Sequence, residues 1–143
     1  MQRLENIAEQ IRQTFDTLTM ARDQALTHAR ALTRACALSI RAVHRDEIEV
    51  MQAHLDKACQ LANALRTGLA DFPALYYAGY TQDSLKEFAE ASITCALIRH
   101  EPLPTPEELY LPAHTYLNGL AESVGEMRRS SPLALVVAVT LMM

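Results

Sequence analysis

Between Met1 and Thr67 apolar positions recur every three or four residues, with neither glycine nor proline to interrupt them. Leu4, Ile7, Ile11, Phe15 and Leu18 open a stripe that a 3.6-residue repeat gathers on one face, which predicts a long amphipathic helix. A break falls near His44–Glu47, where Asp46 can cap a new helix with Glu47 and Glu49 in its first turn, the end at which the helix dipole favours acids. The second helix would carry Ile48, Met51, Leu55, Cys59, Ala62 and Leu65 to a C-cap at Gly68, and the two would form an antiparallel hairpin. Pro73 then starts a short helical turn through Leu75 and Tyr76 to Gly79, followed by an amphipathic segment from about Asp83 to Arg99. Three prolines, Pro102, Pro104 and Pro106, stop it. Thr105-Pro106-Glu107-Glu108 reads as an N-cap, a first-position proline and a capping-box glutamate, and a further helix is expected from about Ala113 to Arg129.

Composition agrees with an all-α bundle. Half of the 143 residues are hydrophobic, but alanine and leucine dominate over β-branched and aromatic types, and there are only 4 glycines. One core and one domain, 1–129, suit this size. Residues 130–143 break the pattern: Ser130-Ser131-Pro132 leads into an uncharged, valine-rich run from Leu133 to Met143. As a helix that run is too short to cross a membrane, which takes roughly 20 residues. It reads as an atypical apolar tail. The N-terminus begins with charged amphipathic sequence and has no signal-like apolar stretch. Cys36, Cys59 and Cys95 are odd in number, widely spaced and never paired as C-x-x-C, so they are expected to be small buried hydrophobes in a cytoplasmic protein.

A formal net charge of −4 excludes nucleic-acid binding by bulk positive charge and requires a local patch for any such function. One is present. Arg30, Arg34, Arg41 and Arg45 follow one another at four, seven and four residues, which keeps them within roughly 60° on a helix, with His44 beside them. Ala25, Leu32, Cys36, Ile40 and Val43 take the other side, leaving the cations free to meet phosphates. The competing reading is an ordinary solvated helix face. Tyr76, Tyr77, Tyr80 and Phe88 are candidate stacking platforms for bases, and equally candidate core anchors.

Two pairs of acids carry the candidate chemistry. Glu87 and Glu90 are three apart and Glu122 and Glu126 four apart, so each pair can share a helix face and two helices can converge on one ion. Clustered carboxylates repel unless they share a proton or a cation, and an oxygen-only set suits Mg²⁺ or Mn²⁺. Such ions polarise a phosphodiester oxygen and lower the pKa of water, so hydrolysis needs no protein nucleophile. Gly119 and Gly125 flank the second pair and would admit a partner helix or substrate backbone, while Leu117, Leu120, Val124 and Met127 face away. A ferritin-like di-iron site would need Glu-x-x-His twice, and the third position after Glu90 is Ile93 and after Glu122 is Gly125. Solvated surface glutamates remain the alternative.

Four blocks in order, Ile40–Arg45, Lys86–Ala91, Pro104–Leu109 and Tyr116–Arg129, resemble the translin/Trax family, particularly its short prokaryotic members. The likeness runs from the first helix to Arg129. It implies an antiparallel bundle of long helices that assembles into a closed homo-oligomeric shell and handles single-stranded RNA or DNA. In the Trax branch, an E-x-x-E pair and a downstream acid four residues before another glutamate form a Mg²⁺-dependent endoribonuclease site. By position these are Glu87, Glu90, Glu122 and Glu126, with Glu87, Glu90 and Glu122 as the catalytic set. The translin branch, lacking a complete set, binds without cutting. Two departures stand out: Glu122 occupies a position where the nuclease branch usually has Asp, and the family continues past Arg129 into another amphipathic helix where this chain has its apolar tail.

Overall fold

In a computed structural model of the chain, which describes residues 1–130 together with 136, 139, 140 and 143, every regular element is a helix. They are α1 (Gln2–His44), α2 (Ile48–Gly68), α3 (Pro73–Tyr76), α4 (Gly79–Ile98), α5 (Pro106–Leu109) and α6 (Ala113–Ser130). Most of the expected tail lies outside the described residues. Among the described residues no helix is long and apolar enough to cross a membrane.

The three-residue turn after α1 folds α2 back along it. It is made by a Schellman motif in which Asp46, at φ 58°, occupies the left-handed position while the Glu47 and Asp46 amides reach back to the carbonyls of Ala42 and Val43. Asp46 therefore terminates α1 and does not cap α2, whose N-cap is Glu47. The same device ends α4 at His100 (φ 56°) and α5 at Tyr110 (φ 54°), where the Glu101 and Leu111 amides return to Ala96 and Pro106. No glycine has positive φ, and Gly68 is the last helical residue of α2, with Leu69 at the cap. The capping box at Thr105 and Glu108 forms as expected, with Pro106 at the first helical position.

The α1 stripe changes character along its length. Residues 2–20 are all exposed, including Leu4, Ile7, Ile11, Phe15 and Leu18, an overhang of roughly 30 Å at 1.5 Å per residue. From Ala25 onward the same face is buried through Ala29, Leu32, Cys36 and Val43. It packs on α2 and α4. α4 is the central helix, lying against α1, α6 and α2, and from Phe88 through Leu97 every residue is buried. Leu32, Leu65, Leu85, Phe88, Ile93 and Leu97 form the main core, each stabilising by about 1.5–3 kcal/mol. α4 begins at Gly79, four residues before the expected Asp83, with the Thr81 and Gln82 amides donating to the Ala78 carbonyl, and the Gln82 side chain donates to the Tyr76 carbonyl (2.9 Å) and accepts from Thr115 of α6.

α6 presents Thr115, Gly119, Ser123 and Met127 to the core. The expected outward set is split: Met127 is buried, Leu120 packs against the core and Leu117 is 63% exposed. Cys36 and Cys95 are buried as expected, but Cys59 is exposed. Burial pushes the Cys95 thiol up to about 12, and burial together with the charges of Glu87 and Glu90 raises Cys36 as well, which disfavours the thiolate at both.

A carboxylate cluster between two helices

The crossing of α4 and α6 is unusually close because Gly119 faces α4. A Cβ there would stand 2.5 Å from the Ala89 Cβ, 2.9 Å from the Lys86 carbonyl and 3.0 Å from the Glu90 amide, so only glycine fits. Gly125 has no such role; nothing lies within 4 Å of its would-be Cβ. Tyr116 helps seat the start of α6 by donating to the Pro104 carbonyl at 2.7 Å.

Three residues C-terminal to Gly119, Glu122 is brought over the α4 pair. Glu87, Glu90 and Glu122 each offer a carboxylate oxygen such that all three atoms lie within 4.8 Å of one another. Glu90 forms the floor at 9% exposure, and Glu87 and Glu122 form the rim. Burial, then the charges and hydrogen bonds of Glu87 and of Glu122, push the Glu90 carboxyl up to about 8. Crowding and burial thus favour its protonated form, and a cation would favour the charged one. The donor set is all oxygen, drawn from two helices and crowded enough to demand compensation, which fits a hard divalent ion.

Glu126 takes another course. One turn beyond Glu122 it reaches α1, where its Oε1 lies 2.8 Å from His44 Nε2, and its Oε2 lies 3.3 Å from Arg129. The Ser130 hydroxyl is 3.0 Å from His44 Nδ1. His44 is thus held between two α6 side chains.

Arg30, Arg34, Arg41 and Arg45 are all exposed along α1, as the stripe predicts. Arg30 also lines a groove of about 510 Å³ with Thr33, Tyr80, Asp83, Ser84 and Glu87, so a cation from the row and an acid from the cluster border the same space. Lys86 has no role that the residue pattern alone predicts. Its ammonium lies 2.7 Å from Glu122 Oε1 and 3.7 Å from Glu87 Oε1, and the hydrogen bond to Glu122 raises its pKa. Its adjacency to Glu87 was visible, but the contact with a residue 36 positions away was not.

Among solved structures, apo-NeC3PO matches with a TM-score of 0.81 over 90% of this chain and 68% of that one, at 19% identity. The fold is translin-like. An uncharacterised protein of Methanocaldococcus jannaschii is 31% identical over 110 residues, which is 76% of this chain and 48% of that protein. The translin-like chain therefore spans about half the length of the curated relative it matches. No family model matches it.

Proposed function

We propose that the chain is a translin/Trax family member and a metal-dependent endoribonuclease acting on single-stranded RNA, with Glu87, Glu90 and Glu122 holding Mg²⁺ or Mn²⁺. The observation that carries this reading is the meeting of three carboxylates from two helices around a buried Glu90. When bound, the ion supplies Lewis-acid polarisation of a phosphodiester and lowers the pKa of water. The chain's own residues do the rest. Glu87 and Glu90 from α4 and Glu122 from α6 would hold the ion. Arg30, in the groove that reaches Glu87, orients the strand through a phosphate, and Arg34, Arg41 and Arg45 extend that contact along α1. Glu126 serves instead with His44 to fasten α6 to α1.

The homo-oligomer and cytoplasmic location implied by the family resemblance belong to the same proposal, and association is supported by the apolar overhang of α1, whose exposed stripe a partner would bury. The direct test is cleavage of a labelled oligoribonucleotide with Mn²⁺ and with EDTA. Cutting by the wild type, abolished by EDTA and by Glu90→Gln, is expected; equal cutting by Glu90→Gln refutes the assignment. A second reading, strand binding without turnover, is favoured by the Lys86–Glu122 ion pair, which neutralises part of the cluster from within. It predicts salt-sensitive retention of an intact strand that EDTA does not change.

A further inference from the structure

Lys86 lies where a cation would lie. Its ammonium joins the two rim carboxylates, one from each helix, at 2.7 and 3.7 Å, and leaves the floor untouched: among the described residues no cationic side chain pairs with Glu90. A divalent ion held by carboxylate oxygens at roughly 2.0–2.6 Å would draw on the same two rim residues that the ammonium now bridges. The two positive charges repel each other and compete for the same rim oxygens. The residue type is informative too. The chain has 11 arginines and only 2 lysines, Lys57 and Lys86, yet the cation at the cluster is a lysine. Arginine would clamp a carboxylate with a rigid planar fork, whereas lysine presents a compact point charge on a flexible stem that can swing away.

We propose that Lys86 is an internal counter-ion that exchanges with the divalent cation, bridging Glu87 and Glu122 in the cation-free protein and leaving the rim when the ion binds. This rests on the reading of the three glutamates as a cation site. The exchange has two consequences. Without the ion, Lys86 holds α4 and α6 together across the like-charged rim, keeping the site assembled. With the ion, the displaced ammonium stands beside the site as a mobile positive charge for an incoming phosphate. Lys86 is in this sense a positioning residue, and its removal deepens the negative potential that draws the ion in while weakening the cation-free crossing.

Having only two lysines makes the test direct. Reductive ¹³C-methylation, which retains the charge, gives two lysine side-chain signals, assigned with Lys86→Arg. Titration with Mg²⁺ is expected to move the Lys86 signal towards that of a free side chain, in step with ion uptake, and to leave Lys57 unmoved. Calorimetry with Mn²⁺ is expected to give about tenfold tighter binding for Lys86→Met than for the wild type, and thermal melts without metal a lower Tm. If the wild type takes up Mn²⁺ but its Lys86 signal stays fixed, or if Lys86→Met binds no more tightly, the exchange is wrong and the cation site stands. If neither protein takes up Mn²⁺ at millimolar concentration, the site reading and the exchange fall together. Should Lys86→Met not fold, the signal measured on the wild type decides alone.

Discussion

Glu122 and Glu126 stand four residues apart on one helix and meet different neighbours. At Glu122 the facing helix is α4, held close by Gly119, and it brings two more acids and a lysine. At Glu126 the facing element is the end of α1, which brings His44, and the carboxylate, 15% exposed, is matched by one imidazole and by Arg129. Helical spacing puts the two acids on one face; the partner element decides whether an acid joins a carboxylate cluster or an ion pair. The first crossing carries surplus negative charge that a cation would relieve, and the second is already balanced.

Gly119→Val attacks the first crossing at its closest point. The side chain would push into Ala89 and the α4 backbone, costing about 1–3 kcal/mol or more in urea unfolding, and Mn²⁺ uptake should vanish as Glu122 withdraws. Gly125→Ala, with open space around it, should be neutral or stabilise by up to about 1 kcal/mol. The acids themselves separate by pH. A carboxyl whose folded pKa exceeds its unfolded value binds its proton more tightly when folded, so the stability it adds at low pH is lost as the pH climbs from about 4.5 towards about 8. Without metal, denaturant midpoints should fall across that window, Glu90→Gln should flatten the fall, and Glu126→Gln should leave it in place. At the second crossing His44→Ala should cost about 1 kcal/mol through its hydrogen bonds and leave Mn²⁺ affinity unchanged. The smallest effect belongs to the arginine row: Arg34→Gln should lower the slope of log affinity against log salt for a single-stranded oligonucleotide by about 0.7.

Much of this was legible in the residues. The three-and-four spacing located the long helices, the Thr105–Glu108 box located α5, and the E-x-x-E pair pointed to a cluster before any contact was known. The misreadings share a cause. Residue type predicts a terminator at Gly68, but the left-handed turns fall at Asp46, His100 and Tyr110, where reaching that region depends on the returning amide hydrogen bonds more than on residue type. Periodicity likewise treats Leu4 and Leu32 alike, although one is exposed and the other is at the centre of the core, because a stripe encodes a face and not what covers it. The pairings of Lys86 with Glu122 and of His44 with Glu126 span 36 and 82 positions and arise only from how α6 lies across the bundle.

Mn²⁺ titration calorimetry on the wild type, Glu90→Gln and Glu126→Gln near neutral pH bears most directly on the claim that α4 and α6 together build a cation site. Saturable uptake by the wild type, accompanied by proton release, lost in Glu90→Gln and kept in Glu126→Gln, is expected. Uptake that survives in Glu90→Gln, or that disappears in Glu126→Gln alone, would contradict it.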